Sequence, residues 1–225
     1  MKKAGMFIVI EGSDGSGKST QYALLLEHLR NQGKDVVVYK FPQYNEPSSF
    51  FVREYLNGGY GSAEELGAYT PSLFYALDRF HAAQAIRGHL DEGKIVLCDR
   101  YIGSNMAHQG QKISGTKELA AYLQWLHDLE YEMLKIPKPD LNIVLLMPAV
   151  IASELMNQRH DARSYTDKQK DIHEADIHHL EKAVAMYEKL CDLFPSEFTK
   201  ITCTNDQGEV RPIDSIQQEI RNILA

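Results

Sequence analysis

The 225-residue chain predicts a single α/β domain, residues 1–225, built on a parallel, doubly wound sheet with helices on both faces. Three observations predict it. Short β-branched runs alternate with longer stretches whose apolar residues recur at helical spacing, the pattern of a βαβ series. Most of the short runs lack polar alternation, as strands covered on both faces do. With 44% hydrophobic residues, a chain of this length supplies one well-buried core and is rather short for two. No internal repeat, low-complexity tract or linker divides it.

The first strand, Phe7-Ile10, runs into a glycine-rich loop, Gly12 to Ser19. A helix follows from Ser19 to Gln32, carries Leu25 and Leu29 inward and stops at Gly33. A second strand spans Asp35-Tyr39. Thr70, Pro71 and Ser72 read as a helix start, with Thr70 capping and Pro71 in the first helical position. The helix from Ser72 to Asp91 places Leu73, Leu77 and Phe80 on a buried stripe and stops at Gly93, whereas Tyr75 and Arg79 share a different face. A third strand is Ile95-Cys98. The stretch Thr116 to Leu134 repeats Leu119, Leu123 and Leu126 as one helix, and Pro137 and Pro139 close it before the strand Leu141-Met147. The last strand is Phe198-Cys203. One segment stands apart: residues from about 157 to 174 are charged, with Arg159, Asp161, Arg163, Asp167, Lys168, Lys170 and Asp171, and nearly free of large aliphatics. It reads as a mobile surface segment or a lid.

Composition narrows the function. Lys and Arg number 24 against 31 Asp and Glu, a formal charge of -7, so no broad basic face for nucleic acid or an acidic membrane is expected and positive charge must be local. Cys98, Cys191 and Cys203 are odd in number and widely spaced, which fits reduced thiols packed in a cytosolic protein. The short apolar run Met6 to Ile10, ended by Glu11, is no signal-peptide core, and no stretch is long enough to span a bilayer. The expectation is a soluble, cytoplasmic protein.

The pattern Gly-x4-Gly-Lys-Ser, directly after a strand and before a helix, carries the chemistry. Its residues are Gly12, Ser13, Asp14, Gly15, Ser16, Gly17, Lys18, Ser19 and Thr20. Glycines let consecutive N-H groups turn inward onto phosphate oxygens, and the helix adds its positive end. Lys18 reaches the β- and γ-phosphates, and the Ser19 hydroxyl takes a Mg2+ position. Switches, motors and kinases share this loop, so the reaction must be named elsewhere. The Asn-Lys-x-Asp guanine-reading pattern is absent, which favours ATP as donor.

Asp99-Arg100-Tyr101 leaves the carboxyl end of the third strand, where parallel α/β sheets bind ligands. There Asp99 can hold Mg2+ through water and Arg100 can clamp a phosphoryl group, or the pair can simply tie down a loop. On the helix after Thr70, Tyr75 and Arg79 suit stacking and edge recognition of a base, or form a surface cation-π pair.

With these pieces in order, the chain resembles the thymidylate kinase family of P-loop nucleoside monophosphate kinases. The resemblance rests on Phe7 to Thr20, Phe41-Pro42, Tyr75 to Arg79, Asp99-Arg100-Tyr101 with Ser104-Asn105, Pro137 to Asp140, and Arg163 to Glu174. It implies a three-layer P-loop fold with a five-stranded parallel sheet, usually in a homodimer, that moves the γ-phosphoryl of ATP, with Mg2+, onto dTMP to give dTDP. By resemblance, Asp14 approaches the sugar 3'-hydroxyl and helps place Arg100, which holds the acceptor phosphate. Arg79 contacts the thymine edge, Phe41 and Tyr75 wall the base pocket, and Asn105 is a polar contact to the base. Members carry a catalytic cation in the loop or in the lid; Gly15 and Ser16 stand where the first type has arginine. The lid cations Arg159, Arg163, Lys168 and Lys170 therefore become the candidates, Arg163 first. Two departures are plain: Gln43-Tyr44 replace a phosphate-contacting arginine of many relatives, and His108 stands where an aromatic often helps exclude a ribose 2'-hydroxyl.

The run from His173 to His179 is no zinc helix, because position 177 is Ile177 rather than the second histidine of His-Glu-x-x-His. It reads as histidines on a polar surface helix. Two rival functions stay open on sequence grounds: a deoxynucleoside kinase, which needs a carboxylate base, and a nucleotide-binding regulatory protein with no small acceptor.

Overall fold

The computed structural model describes residues 5–158 and 177–224. In chain order the elements are β1 (Met6–Gly12), α1 (Lys18–Asn31), β2 (Val36–Lys40), α2 (Phe50–Leu56), α3 (Tyr69–Asp91), β3 (Ile95–Asp99) and α4 (Ile102–Gly110). They continue with α5 (Thr116–His127), a π-helical turn at Asp128–Met133, β4 (Leu141–Leu146), α6 (Ala149–Asn157), α7 (Ile177–Leu193), β5 (Phe198–Thr202) and α8 (Ile213–Ile223). All five strands anticipated from the β-branched runs form.

They make one five-stranded sheet in the order β2-β3-β1-β4-β5, with every neighbouring pair parallel. Alternation along β1 divides the core: Phe7 and Val9 face a cluster with α3, α4, α5 and α7, while Ile8 and Ile10 face α1, α6 and α8. All four are fully buried, each contributing roughly 2 kcal/mol of apolar transfer. The chain leaves β1 toward one edge through β2 and, after β3, crosses to the other edge through β4, so the sheet reverses its order at β1 and β3. In such a sheet the crevice at the carboxyl ends of those strands is the place for a ligand. Register sharpens this placement: Ile10 lies opposite Asp99, and the Arg100 amide donates to the Ile10 carbonyl at 3.0 Å.

Three local expectations are corrected. On α3 the stripe Leu73, Leu77 and Phe80 is 39%, 46% and 48% exposed, and the buried positions include Ser72, Asp78 and Arg79. The polar residues go inside because each finds a distant partner: Ser72 pairs with the Tyr122 hydroxyl at 2.7 Å, and the Asp78 carboxylate accepts from the Gln43 amide at 2.8 Å and from the Ser48 hydroxyl. The start of α3 also moves. It begins at Tyr69 with no side-chain cap, Pro71 sits within the first turn, where its missing N-H costs nothing, and the Ser72 hydroxyl donates back to the Ala68 carbonyl. Finally, the helix expected from Thr116 to Leu134 ends as an α-helix at His127 and widens into the π turn, which buries Leu129, Glu130 and Tyr131 in succession.

Cys98, Cys191 and Cys203 are free and buried, and burial pushes each thiol up. Among the described residues no helix is long and apolar enough to cross a membrane.

Candidate active site

The loop after β1 turns through glycines that the backbone requires. Gly12, Gly15 and Gly17 have φ of 140°, 76° and 86°, a region that side chains disfavour. Position 15 is closed as well: a Cβ there would lie 2.1 Å from the Ala152 carbonyl oxygen of α6. The loop type that carries an arginine here is therefore sterically incompatible with this packing, which gives the sequence departure at Gly15 a physical cause. Lys18, in the first turn of α1, is buried and donates to the Ser13 carbonyl at 2.6 Å. Burial, then the Arg100 charge, lowers its pKa to about 8, with Asp14, Asp99 and Glu11 opposing. The buried Ser13 and Ser16 hydroxyls have no partner among the described residues, and Ser19 is exposed at the helix start. Donors without acceptors at a helix N-terminus fit an anion with several oxygens.

Arg100 occupies the carboxyl end of β3 with φ 69°, a strained value for a side-chain-bearing residue. Its guanidinium donates to Asp14 at 2.7 Å and to the Ser104 hydroxyl at 3.1 Å, and lies 3.3 Å from His108 Nε2. Burial opposes its charge, but Asp14, Tyr187, Asp99 and Glu11 outweigh that and hold it above the ordinary value. The expected pairing of Asp14 with Arg100 is thus in place. Asp99 is buried, with Oδ2 3.4 Å from Lys40 Nζ and Oδ1 without a partner among the described residues.

Glu11, which the sequence reading took only as the end of an apolar run, is a fully buried carboxylate at the end of β1. It accepts from the Tyr101 and Ser104 amides at 2.8 and 3.0 Å, from the Ser104 hydroxyl at 2.6 Å and from the Tyr187 hydroxyl at 3.1 Å. These bonds tie the start of α4 to β1 and so fix the turn that presents Arg100. A charged residue terminating a buried strand was the signal for it.

The residues expected on the acceptor side fall into two groups. Phe41, joined to Pro42 by a cis peptide bond, packs edge-on against Tyr101 at 5.6 Å, and the Arg79 guanidinium lies 5.8 Å from the same ring, so these two meet around Tyr101. Arg79 is no surface cation-π partner of Tyr75: it is buried and held by Glu130 through Nε at 2.7 Å and Nη2 at 2.5 Å. Asn105 joins this group, donating to the Ser72 carbonyl at 3.1 Å and to Glu130 at 3.3 Å. Tyr75 instead packs against Tyr55 in the small cluster around Val52. His108 stacks on His179 at 5.7 Å and packs edge-on to Tyr187. His179 is therefore half-buried rather than a surface residue, while His178 is exposed as expected. Gln43 is fastened to Asp78, and Arg53, which the sequence reading passed over, donates to the Tyr44 carbonyl at 2.8 Å. Arg159 and Arg163, with the rest of the anticipated lid from residue 159, lie outside the described residues.

The sequence around this site matches a known family. The thymidylate kinase family model matches residues 10–211. The chain belongs to the thymidylate kinase family. It is 30% identical over 190 residues to the thymidylate kinase of Mycobacterium tuberculosis (strain ATCC 25618 / H37Rv), covering 82% of this chain and 85% of that one. It is 34% identical over 171 residues to the thymidylate kinase of Caulobacter vibrioides (strain ATCC 19089 / CIP 103742 / CB 15), covering 76% and 78%. In fold it is similar to thymidylate kinase from Candida albicans, with a TM-score of 0.70 at 22% identity over 98% of this chain and 91% of that chain. Thymidylate kinase from Ehrlichia chaffeensis gives 0.65 at 23% identity over 99% and 100%. As a thymidylate kinase family member, the chain is a nucleoside monophosphate kinase of P-loop fold.

Proposed function

We propose that this kinase transfers the γ-phosphoryl group of ATP to dTMP, releasing ADP and dTDP, with Lys18, Arg100 and Asp14 at the reacting centre. The single observation that carries the reading is Arg100: a cation at a strained strand-end position, held by Asp14 2.7 Å away on the loop that binds the donor. Phosphoryl transfer asks the protein for positioning and charge stabilisation. The loop amides and Lys18 hold the donor's β- and γ-phosphates. Arg100, fixed from behind by Ser104 and Glu11, binds the acceptor phosphate bidentately and keeps its oxygen in line. Phe41, Arg79 and Asn105 receive the base, with Tyr75 and His108 at its margins.

Hard oxygen donors suit Mg2+, and Asp99 Oδ1, unpartnered among the described residues, with the exposed Ser19 hydroxyl fits it. Ser19 would ligate the ion directly and Asp99 through water, and the ion would neutralise charge on the donor phosphates. The lid cations Arg159 and Arg163 complete the charge set in this reading, and the closed space at Gly15 supports it, since the loop has no room for an arginine there. The exposed apolar face of α3, Leu73, Leu77 and Phe80, supports a homodimer that covers it. The unpaired buried cysteines fit a cytoplasmic setting.

ADP release with ATP-Mg2+ and a panel of dTMP, dUMP, dCMP, dGMP and thymidine tests the assignment. Acceleration by dTMP is expected. Acceleration by thymidine alone would make the chain a deoxynucleoside kinase, and acceleration by nothing a regulatory nucleotide binder.

A further inference from the structure

We propose that Glu130, on the π-helical turn, is a specificity-determining positioning residue: it fixes the hydrogen-bonding pattern that Arg79 and Asn105 present to the base. The inference rests on the reading of those two side chains as the base-contacting pair.

Glu130 is fully buried, and both of its oxygens are used. Oε2 accepts from Arg79 Nε, while Oε1 accepts from Arg79 Nη2 and, at 3.3 Å, from Asn105 Nδ2. The paired bonds on one edge of the guanidinium set its plane, which a flexible arginine would otherwise explore, and leave Nη1 on the other edge beside the Tyr101 carbonyl at 3.5 Å. The effect on Asn105 is more discriminating. An amide can turn over at little steric cost, but here its nitrogen faces a carboxylate and the Ser72 carbonyl, and the reversed amide would set oxygen against oxygen. Asn105 Oδ1 is thereby held as a buried acceptor, and it has no partner among the described residues. A fixed donor beside a fixed, unsatisfied acceptor is the complement of thymine or uracil, whose O4 accepts and N3-H donates. Cytosine reverses both groups, with an amino donor at position 4 and an acceptor at N3, and meets like against like. Neither Arg79 nor Asn105 alone guarantees this choice, because either could reorient. Glu130 removes that freedom from both at once.

The placement also accounts for the π turn. Leu129, Glu130 and Tyr131 are buried in succession, more consecutive residues than a regular helix turns toward one side, and such widened turns recur at functional sites. Arg79 keeps its charge in this setting: burial opposes it, but Glu130, with Tyr101 and Asp78, together outweighs that.

The test is the ratio of kcat/KM for dTMP to that for dCMP in Glu130→Gln, Arg79→Ala, Asn105→Ala and the Glu130→Gln/Arg79→Ala double variant, with KM for ATP and Tm measured alongside. Glu130→Gln is expected to raise the dTMP KM about tenfold and lower the dTMP-to-dCMP ratio at least tenfold, with KM for ATP within twofold. The double variant should lose less discrimination than the product of the two single losses, because the part of the Glu130 effect that runs through Arg79 is already gone and only the part through Asn105 remains. A folded Glu130→Gln protein with unchanged dTMP KM and ratio, beside an Arg79→Ala variant that loses discrimination, overturns the positioning role. If Arg79→Ala and Asn105→Ala both keep the wild-type ratio, the base-contact reading itself fails, and the role with it. Should Glu130→Gln not fold, Glu130→Asp is judged by the same ratio: its charge remains but its reach is shorter, so loss of discrimination supports the role and retention overturns it.

Discussion

Arg100 and Lys18 concentrate positive charge in a chain whose formal charge is -7, and the local surroundings decide how each behaves. Burial, and then the Arg100 charge, outweigh the carboxylates near Lys18, so its pKa falls to about 8. The sign for ligand binding follows. ATP phosphates favour the charged ammonium and raise that pKa, so binding takes up a proton once the pH passes 8 and takes up none well below it. Calorimetric titration with ATP at pH 8.5, in two buffers of different ionisation enthalpy, should show a net proton uptake. Buffer-independent heat would contradict it. Gly15 is a second residue-scale case. At φ 76°, with the Ala152 carbonyl 2.1 Å from any Cβ, Gly15→Ala should destabilise the fold by about 2 kcal/mol or more, read as a shift in denaturant midpoint. An unchanged midpoint would show that α6 yields easily.

Among the elements, α3 carries the clearest lesson. Leu73, Leu77 and Phe80 have the spacing of a covered stripe, yet within one chain they face outward. Replacing Leu77 and Phe80 by Glu should turn a dimer into monomers in sedimentation while leaving helix content by circular dichroism unchanged; a monomeric wild type would remove the dimer from the account. Periodicity shows that an apolar face exists, not whether its own chain or a second copy covers it. The buried side of α3 was illegible for a related reason. Ser72, Asp78 and Arg79 are inside because Tyr122, Gln43 and Glu130, 35 to 51 residues away, satisfy them, and no local pattern records such pairings. The strands were legible because β-branched runs without polar alternation report burial on both faces directly. The π turn was not, since Asp128 to Met133 continues the spacing of α5 and only the tertiary partners of Glu130 mark the change. For the site, the loop from Gly12 to Thr20 was readable because its chemistry is contiguous. Glu11 and Glu130 were missed because each acts through residues remote in sequence.

At the scale of the whole molecule, the sheet order does the assembling. Reversal at β1 and β3 sets Gly12 to Lys18 beside Asp99 and Arg100, and α4, pinned by Glu11, carries Asn105 toward α3 and the π turn and Ser104 and His108 toward α7. In the proposed reading, donor loop, phosphate clamp and base pocket follow one another from the end of β1 through Arg100 to Asn105, the order an in-line transfer requires. The most direct test follows the transferred group itself. With ATP labelled at the γ-phosphate and unlabelled dTMP, the account predicts label in the β-phosphate of dTDP, one per ADP formed, and loss of that product in Arg100→Ala. Label released as inorganic phosphate, or product formed equally well by Arg100→Ala, would contradict it.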